Sequence, residues 1–91
     1  MLLETRYSIV KMVDSEGNKK EDELGLMKLN YYIQHLSKGS RGILVSNDKT
    51  GEHVRTSPIQ DIRFWENHII LETQNTVYTL KAIIKPLVRG V

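Results

Sequence analysis

"EDELGLMKLNYYIQHL", residues 21–36, decides the fold class of this chain, because it is the one stretch whose apolar residues repeat like a helix. Leu26, Leu29, Ile33 and Leu36 recur at spacings of three, four and three, which makes a single apolar stripe. Glu21, Asp22 and Glu23 stand in the first turn, where the helix dipole favours negative charge. Lys38 and Gly39 follow the last apolar residue and form a C-terminal stop. Gly25 weakens the first turn, since Gly costs about 1 kcal/mol relative to Ala inside a helix. On this reading one helix spans about 21–37. Tyr32 flanks its stripe, while Tyr31 points away and joins Leu24 and Met27 in a second ridge. A helix apolar on two sides is either more deeply buried than one stripe requires or shared with another subunit, and on the second alternative Leu24, Met27 and Tyr31 are the expected contact for a second copy or a protein partner.

Outward from this segment the pattern is strand. "LLETRYSIVKMV" (2–13) alternates, with Leu3, Thr5, Tyr7 and Ile9 on one face and Glu4, Arg6 and Ser8 on the other. "DSEGNKK" (14–20) has turn composition. After the helix come "RGILVSN" (41–47), a polar turn at 47–52, and "HVRTSP" (53–58), where Pro58 marks a strand end or an edge because it cannot donate to a ladder. "IQDIRFW" (59–65) is a further extended piece. "HIILET" (68–73) and "TVYTLKAI" (76–83) follow, separated by the short hairpin signal Gln74-Asn75. The expected fold is α+β: a small, strongly curved antiparallel sheet or SH3-like half-barrel of five to six strands with the helix packed against it. The 91 residues make a single domain, with 84–91 as a tail that packs through Leu87 and Val88 or frays.

Composition narrows the function classes. With no cysteine, disulfides, thiolate ligands and a cysteine nucleophile are excluded. The N-terminal segment carries Glu4 and Arg6 where a signal peptide needs an apolar run, and no window is long and apolar enough to span a membrane, so a cytoplasmic protein is expected. His35, His53 and His68 lie too far apart for a local metal-ligand pair, and no glycine-rich phosphate loop or nucleophile elbow is present. No catalytic residue, metal, cofactor or small-molecule substrate is therefore expected, and the protein is read as non-enzymatic.

Charge is uneven. Residues 1–37 hold five Lys or Arg against six acids, and residues 38–91 hold eight against five. Arg41, Arg55, Arg63 and Lys81 lie on or beside strands, interleaved with Trp65 and Tyr78. Cations for phosphate and rings for stacking are what sheet faces that bind nucleic acid combine. Within "IRFWE", Ile62 and Phe64 share one face, so Phe64 is expected in the core. Arg63 and Trp65 take the other face, with the indole capping the barrel and its edge free for a partner.

"TSPIQDI" (56–62) followed by "IILETQNTVYTL" (69–80) resembles a strand pattern of small uncharacterised accessory proteins of Gram-positive bacteria and their phages or plasmids. The resemblance covers about a quarter of the chain and carries no catalytic residue. It implies a mobile-element context, which favours regulators, inhibitors and nucleic-acid-associated proteins over metabolic enzymes. Two readings follow: a regulatory module contacting nucleic acid through Arg41, Arg55, Arg63, Trp65, Tyr78 and Lys81, or a protein-interaction module or inhibitor, homodimeric or not, acting through the helix ridge.

Overall fold

A computed structural model describes residues 3–22, 25–46 and 53–86. Six antiparallel strands follow one another around a closed barrel in the order β1 (Leu3–Asp14), β2 (Asn30–His35), β3 (Arg41–Ser46), β4 (His53–Trp65), β5 (His68–Thr73) and β6 (Thr76–Pro86), with β6 pairing back onto β1. No α-helix occurs among the described residues, and the α+β expectation is overturned. The sheet is also not a half-barrel: it closes on itself.

The segment 21–36 explains the correction. Gly25 takes a left-handed conformation, φ 70° and ψ 28°, which no right-handed helix can pass through. Both carboxylate oxygens of Asp22 accept backbone N–H groups, from Leu26 at 2.7 Å and Met27 at 2.8 Å. That arrangement serves a single turn of 3-10 helix, Leu26–Lys28, which Leu29 ends in extended geometry at φ −103° and ψ 156°. From Asn30 the chain is β2. Tyr31, Tyr32 and Ile33 suit a pleated surface better than a helix, and Leu29, Tyr31 and Ile33 satisfy a period of two as well as the stripe satisfies three and four. Tyr31 is fully buried in the core, and its hydroxyl donates to the Leu26 carbonyl at 2.6 Å. The expected outer ridge therefore does not exist: Tyr31 is inside, Met27 is half-buried against the core, and Leu24 lies outside the described residues.

Closure of so few strands needs strong coiling, and four register shifts supply it, at 9/11 in β1, 33/35 in β2, 41/43 in β3 and 59/61 in β4. The core is built from Ile9, Met12, Tyr31, Leu44, Val54, Ile69, Leu71 and Leu80. Pro58 is neither a strand end nor an edge, because "HVRTSP" and "IQDIRFW" form one strand. Pro58 sits where β4 changes partners: residues before it pair with β3, and those after it with β5. A missing N–H is harmless there, and its carbonyl accepts the Gln74 amide at 3.1 Å.

Hydroxyl side chains hold this hand-over. Thr56 Oγ1 accepts the Gly42 amide at 2.8 Å and donates to the Ser57 carbonyl at 2.7 Å. Ser57 Oγ donates to Thr73 Oγ1 at 2.8 Å and accepts the Asn75 amide at 3.0 Å, while Thr73 Oγ1 donates to the Thr76 carbonyl at 2.6 Å. The "TSP" and "ETQNT" signals are thus two halves of one polar clamp, which ties the bend of β4 to the β5–β6 turn.

At one end β1 and β6 outrun their neighbours. β2 meets β1 only at Tyr7 and Ser8, and β5 reaches no further along β6 than Lys81, so residues 3–6 and 83–86 continue as a two-stranded ribbon. Residues 84–86 belong to this ribbon, paired with 3–5, while 87–91 of the expected tail lie outside the described residues. Arg6 pairs with Glu4 and lies 5.1 Å from the centre of the Tyr32 ring, whose hydroxyl donates to Glu4 at 2.9 Å. This Tyr32 phenol is held above its usual range, chiefly by the Glu4 hydrogen bond.

Candidate functional site

Residues directly opposite each other in an antiparallel pair share a sheet face, so the register locates the candidate residues. Trp65 pairs with His68, His68 with Lys81, Lys81 with Ser8 and Ser8 with Asn30. These five side chains form one row across β4, β5, β6, β1 and β2. The next row on the same face is Arg63, Ile70, Thr79 and Lys11. Ile69, Leu71 and Leu80, which alternate with them, are core residues, so both rows face outward.

The outward patch is cationic with an aromatic at one end. Trp65 is 69% exposed, so the indole does not cap the barrel. The Arg63 side chain is 57% exposed, with its Nε 3.7 Å from Asp61, which Lys38 also approaches at 3.3 Å. Surface pairs this open are screened and leave the guanidinium available. Lys81 and Lys11 are exposed and His68 half-buried. Neither row contains a carboxylate; acids return at the turn (Glu66) and in the following row (Asp61 opposite Glu72).

Turn geometry positions the aromatic end. β4 and β5 are joined by Glu66 and Asn67 alone, and Glu66 adopts φ 53°. So tight a turn fixes Trp65 opposite His68. It also lifts the hairpin tip past the end of β3, whose last pairing with β4 is Arg41 opposite Pro58. Phe64 shares the inward face with Ile69 but stands above the rim, 74% exposed, so it is not a core residue.

Of the six residues expected to bind nucleic acid, the fold brings Arg63, Trp65 and Lys81 together. Arg55 pairs with Ile43 and lies eight residues before Arg63 on the same strand, roughly 25 Å away at strand rise. Arg41 sits beside it, its guanidinium 3.4 Å from the Thr56 carbonyl. Tyr78 pairs with Leu71 and Met12 on the inward face, and burial pushes its phenol above the usual range. His68 and Lys11, neither of them among those six, join the patch. Among the described residues no group of three or more His, Cys, Asp or Glu side chains is placed to hold a metal ion, and no helix is long and apolar enough to cross a membrane. No protein-family model, curated protein or solved structure matches this chain.

Proposed function

We propose that the protein is a non-enzymatic regulatory module of the cytoplasm that binds nucleic acid on the outward face of β4, β5, β6 and β1. The observation that carries this reading is the register row of Trp65, His68 and Lys81, with Arg63 and Lys11 in the row beside it. An exposed indole offers a stacking platform, and cations on adjacent strands offer phosphate contacts at strand spacing. The mobile-element context implied by the 56–80 pattern agrees with such a role.

The test is the fluorescence of the single tryptophan, titrated with short single-stranded and duplex oligonucleotides at low and moderate salt. Quenching is expected. Three phosphate contacts, from Arg63, Lys81 and Lys11, give a slope of log K against log salt of about −2 on a single strand. Arg63→Ala and Lys81→Ala should each weaken binding and flatten that slope. An indole signal that ignores every oligonucleotide would overturn the proposal.

A second reading, association with another protein or a second copy, has Phe64, Ile84 and Leu3 in its favour, at 74%, 67% and 63% exposed. Self-association through them would change the sedimentation mass and respond little to salt.

A further inference from the structure

We propose that the nucleic acid bound is a single strand, running around the barrel from Trp65 to a groove beside β1 that holds one unstacked base; this rests on the function proposed above. The groove has a volume of about 360 Å³. It exists because β2 leaves β1 after Ser8, so that the edge of β1 from residue 10 onward is taken by the returning turn, with Val13 bridging Lys19 and the Lys20 amide donating to the Met12 carbonyl. The bulge between Ile9 and Lys11 leaves Val10 without a ladder partner and 41% exposed.

The lining divides by chemistry. Val10, Val13 and Met27 supply apolar surface; Lys11 and Lys19 supply positive charge, with Lys20 beside them donating its ammonium to Thr76 Oγ1 at 2.9 Å; among the described residues no carboxylate lines the groove. An apolar slot between cations suits a flat ring with phosphates on either side. In a duplex the ring faces are sealed by stacking, so only a single strand can present one. The neighbouring, smaller cavity of about 180 Å³ is different in character, with Glu21 and Asp22 in its lining.

Lys11 joins the groove to the outer face, since it ends the row that begins at Arg63. Three interstrand gaps of about 4.8 Å separate the two, about 14 Å in all. A stacked strand advances about 3.4 Å per nucleotide, so about four steps cover that distance. With one nucleotide stacked on Trp65 and one in the groove, the site takes about five or six.

The test uses fluorescein-labelled dT6 and its anisotropy, with one abasic nucleotide walked through the sequence. Two positions about four nucleotides apart should each lose roughly tenfold or more in affinity when the base is removed. Trp65→Ala should abolish the sensitivity at one, and Val10→Asp at the other. Lys19→Ala, an exposed change that leaves the fold intact, should reduce the salt slope by about 0.7. If dT6 binds and only the Trp65-dependent position responds, the groove is not part of the site, and the outer-face reading survives alone. A six-base-pair duplex that binds as tightly as dT6 overturns the single-strand assignment. If dT6 does not bind even at low salt, this inference falls, and the proposed function falls with it only when the six-base-pair duplex fails to bind as well.

Discussion

Thr56→Val tests whether hydroxyl groups, rather than packing, hold the bend that aims the second half of β4. Thr56 is fully buried, and valine reproduces its shape and its β-branch. Two interactions disappear. The Gly42 amide loses the acceptor it meets at 2.8 Å, and the Ser57 carbonyl loses a donor at 2.7 Å. Gly42 is buried at the register shift between Arg41 and Ile43, so the ladder offers its N–H no replacement. Leaving a buried donor unsatisfied costs about 1–3 kcal/mol, and loss of the hydrogen bond to the Ser57 carbonyl adds about 1.

The expected loss is thus about 3 kcal/mol, out of about 5–14 for a domain of this length. At about 4–8 °C per kcal/mol, the melting temperature should fall by roughly 12–24 °C. Thr56→Ser is the control, because it keeps the hydroxyl and loses a methyl group, at a cost of about 1 kcal/mol. Urea denaturation followed by far-UV circular dichroism reads both variants. If valine is no more destabilising than serine, the clamp is incidental and packing holds the bend.

Three other perturbations have signs set by the fold. Gly25→Ala meets no atom within 4 Å, so its effect is that of the backbone at φ 70°: a destabilisation of about 1 kcal/mol in denaturant titration, where a helix through this position would be stabilised by about as much. Glu66→Gly relieves a left-handed φ of 53° at the β4–β5 turn and should stabilise by about 1 kcal/mol, raising the melting temperature by a few degrees, while Glu66→Ala should bring no such gain. Burial raises the Tyr78 phenol in the folded state, so the folded protein holds that proton more tightly than the unfolded chain, whose tyrosines ionise near pH 10. Stability from this group is complete below pH 10 and falls as pH rises beyond it. Tyr78→Phe should therefore flatten the decline of unfolding free energy between about pH 9.5 and 11.

The strands that alternate cleanly were legible. β1, β5 and β6 occupy nearly the residues their period of two indicates, and Gln74-Asn75 is the two-residue turn it resembles. The 21–36 segment is ambiguous because Leu29 and Ile33, four apart, fit the stripe of a helix and equally, with Tyr31 between them, alternate positions of a short strand. The deciding facts were the left-handed Gly25 and the aromatic pair Tyr31-Tyr32, whose inner member is completely buried. Pro58 misled for a different reason. Its missing donor does end a ladder, but only the one with β3, and the strand runs on with a new partner. Phe64 lies on the face that alternation indicates and still outside the core, because alternation says which way a side chain points and not whether the barrel extends that far.

The same distinction separates the parts of the site. A two-residue turn sets the register of everything on either side of it. From Glu66-Asn67 follows the pairing of Trp65 with His68, and from Gln74-Asn75 that of His68 with Lys81. Three members of the row were therefore derivable by counting outward from two turns, once both were accepted as tight. Ser8 in that row and Lys11 in the next were not, since both join the patch only through the closure of β6 onto β1, a pairing between chain ends that no local signal announces. Arg55 and Arg63 show the converse: close in sequence and on one strand, they are separated by the partner change at Pro58 and serve different faces of the molecule. A basic residue on this barrel belongs to the site by its cross-strand neighbours and not by its neighbours in the chain, so substitutions at Lys11 and Lys81, far apart in sequence, should weaken oligonucleotide binding alike, whereas Arg55→Ala should leave it unchanged.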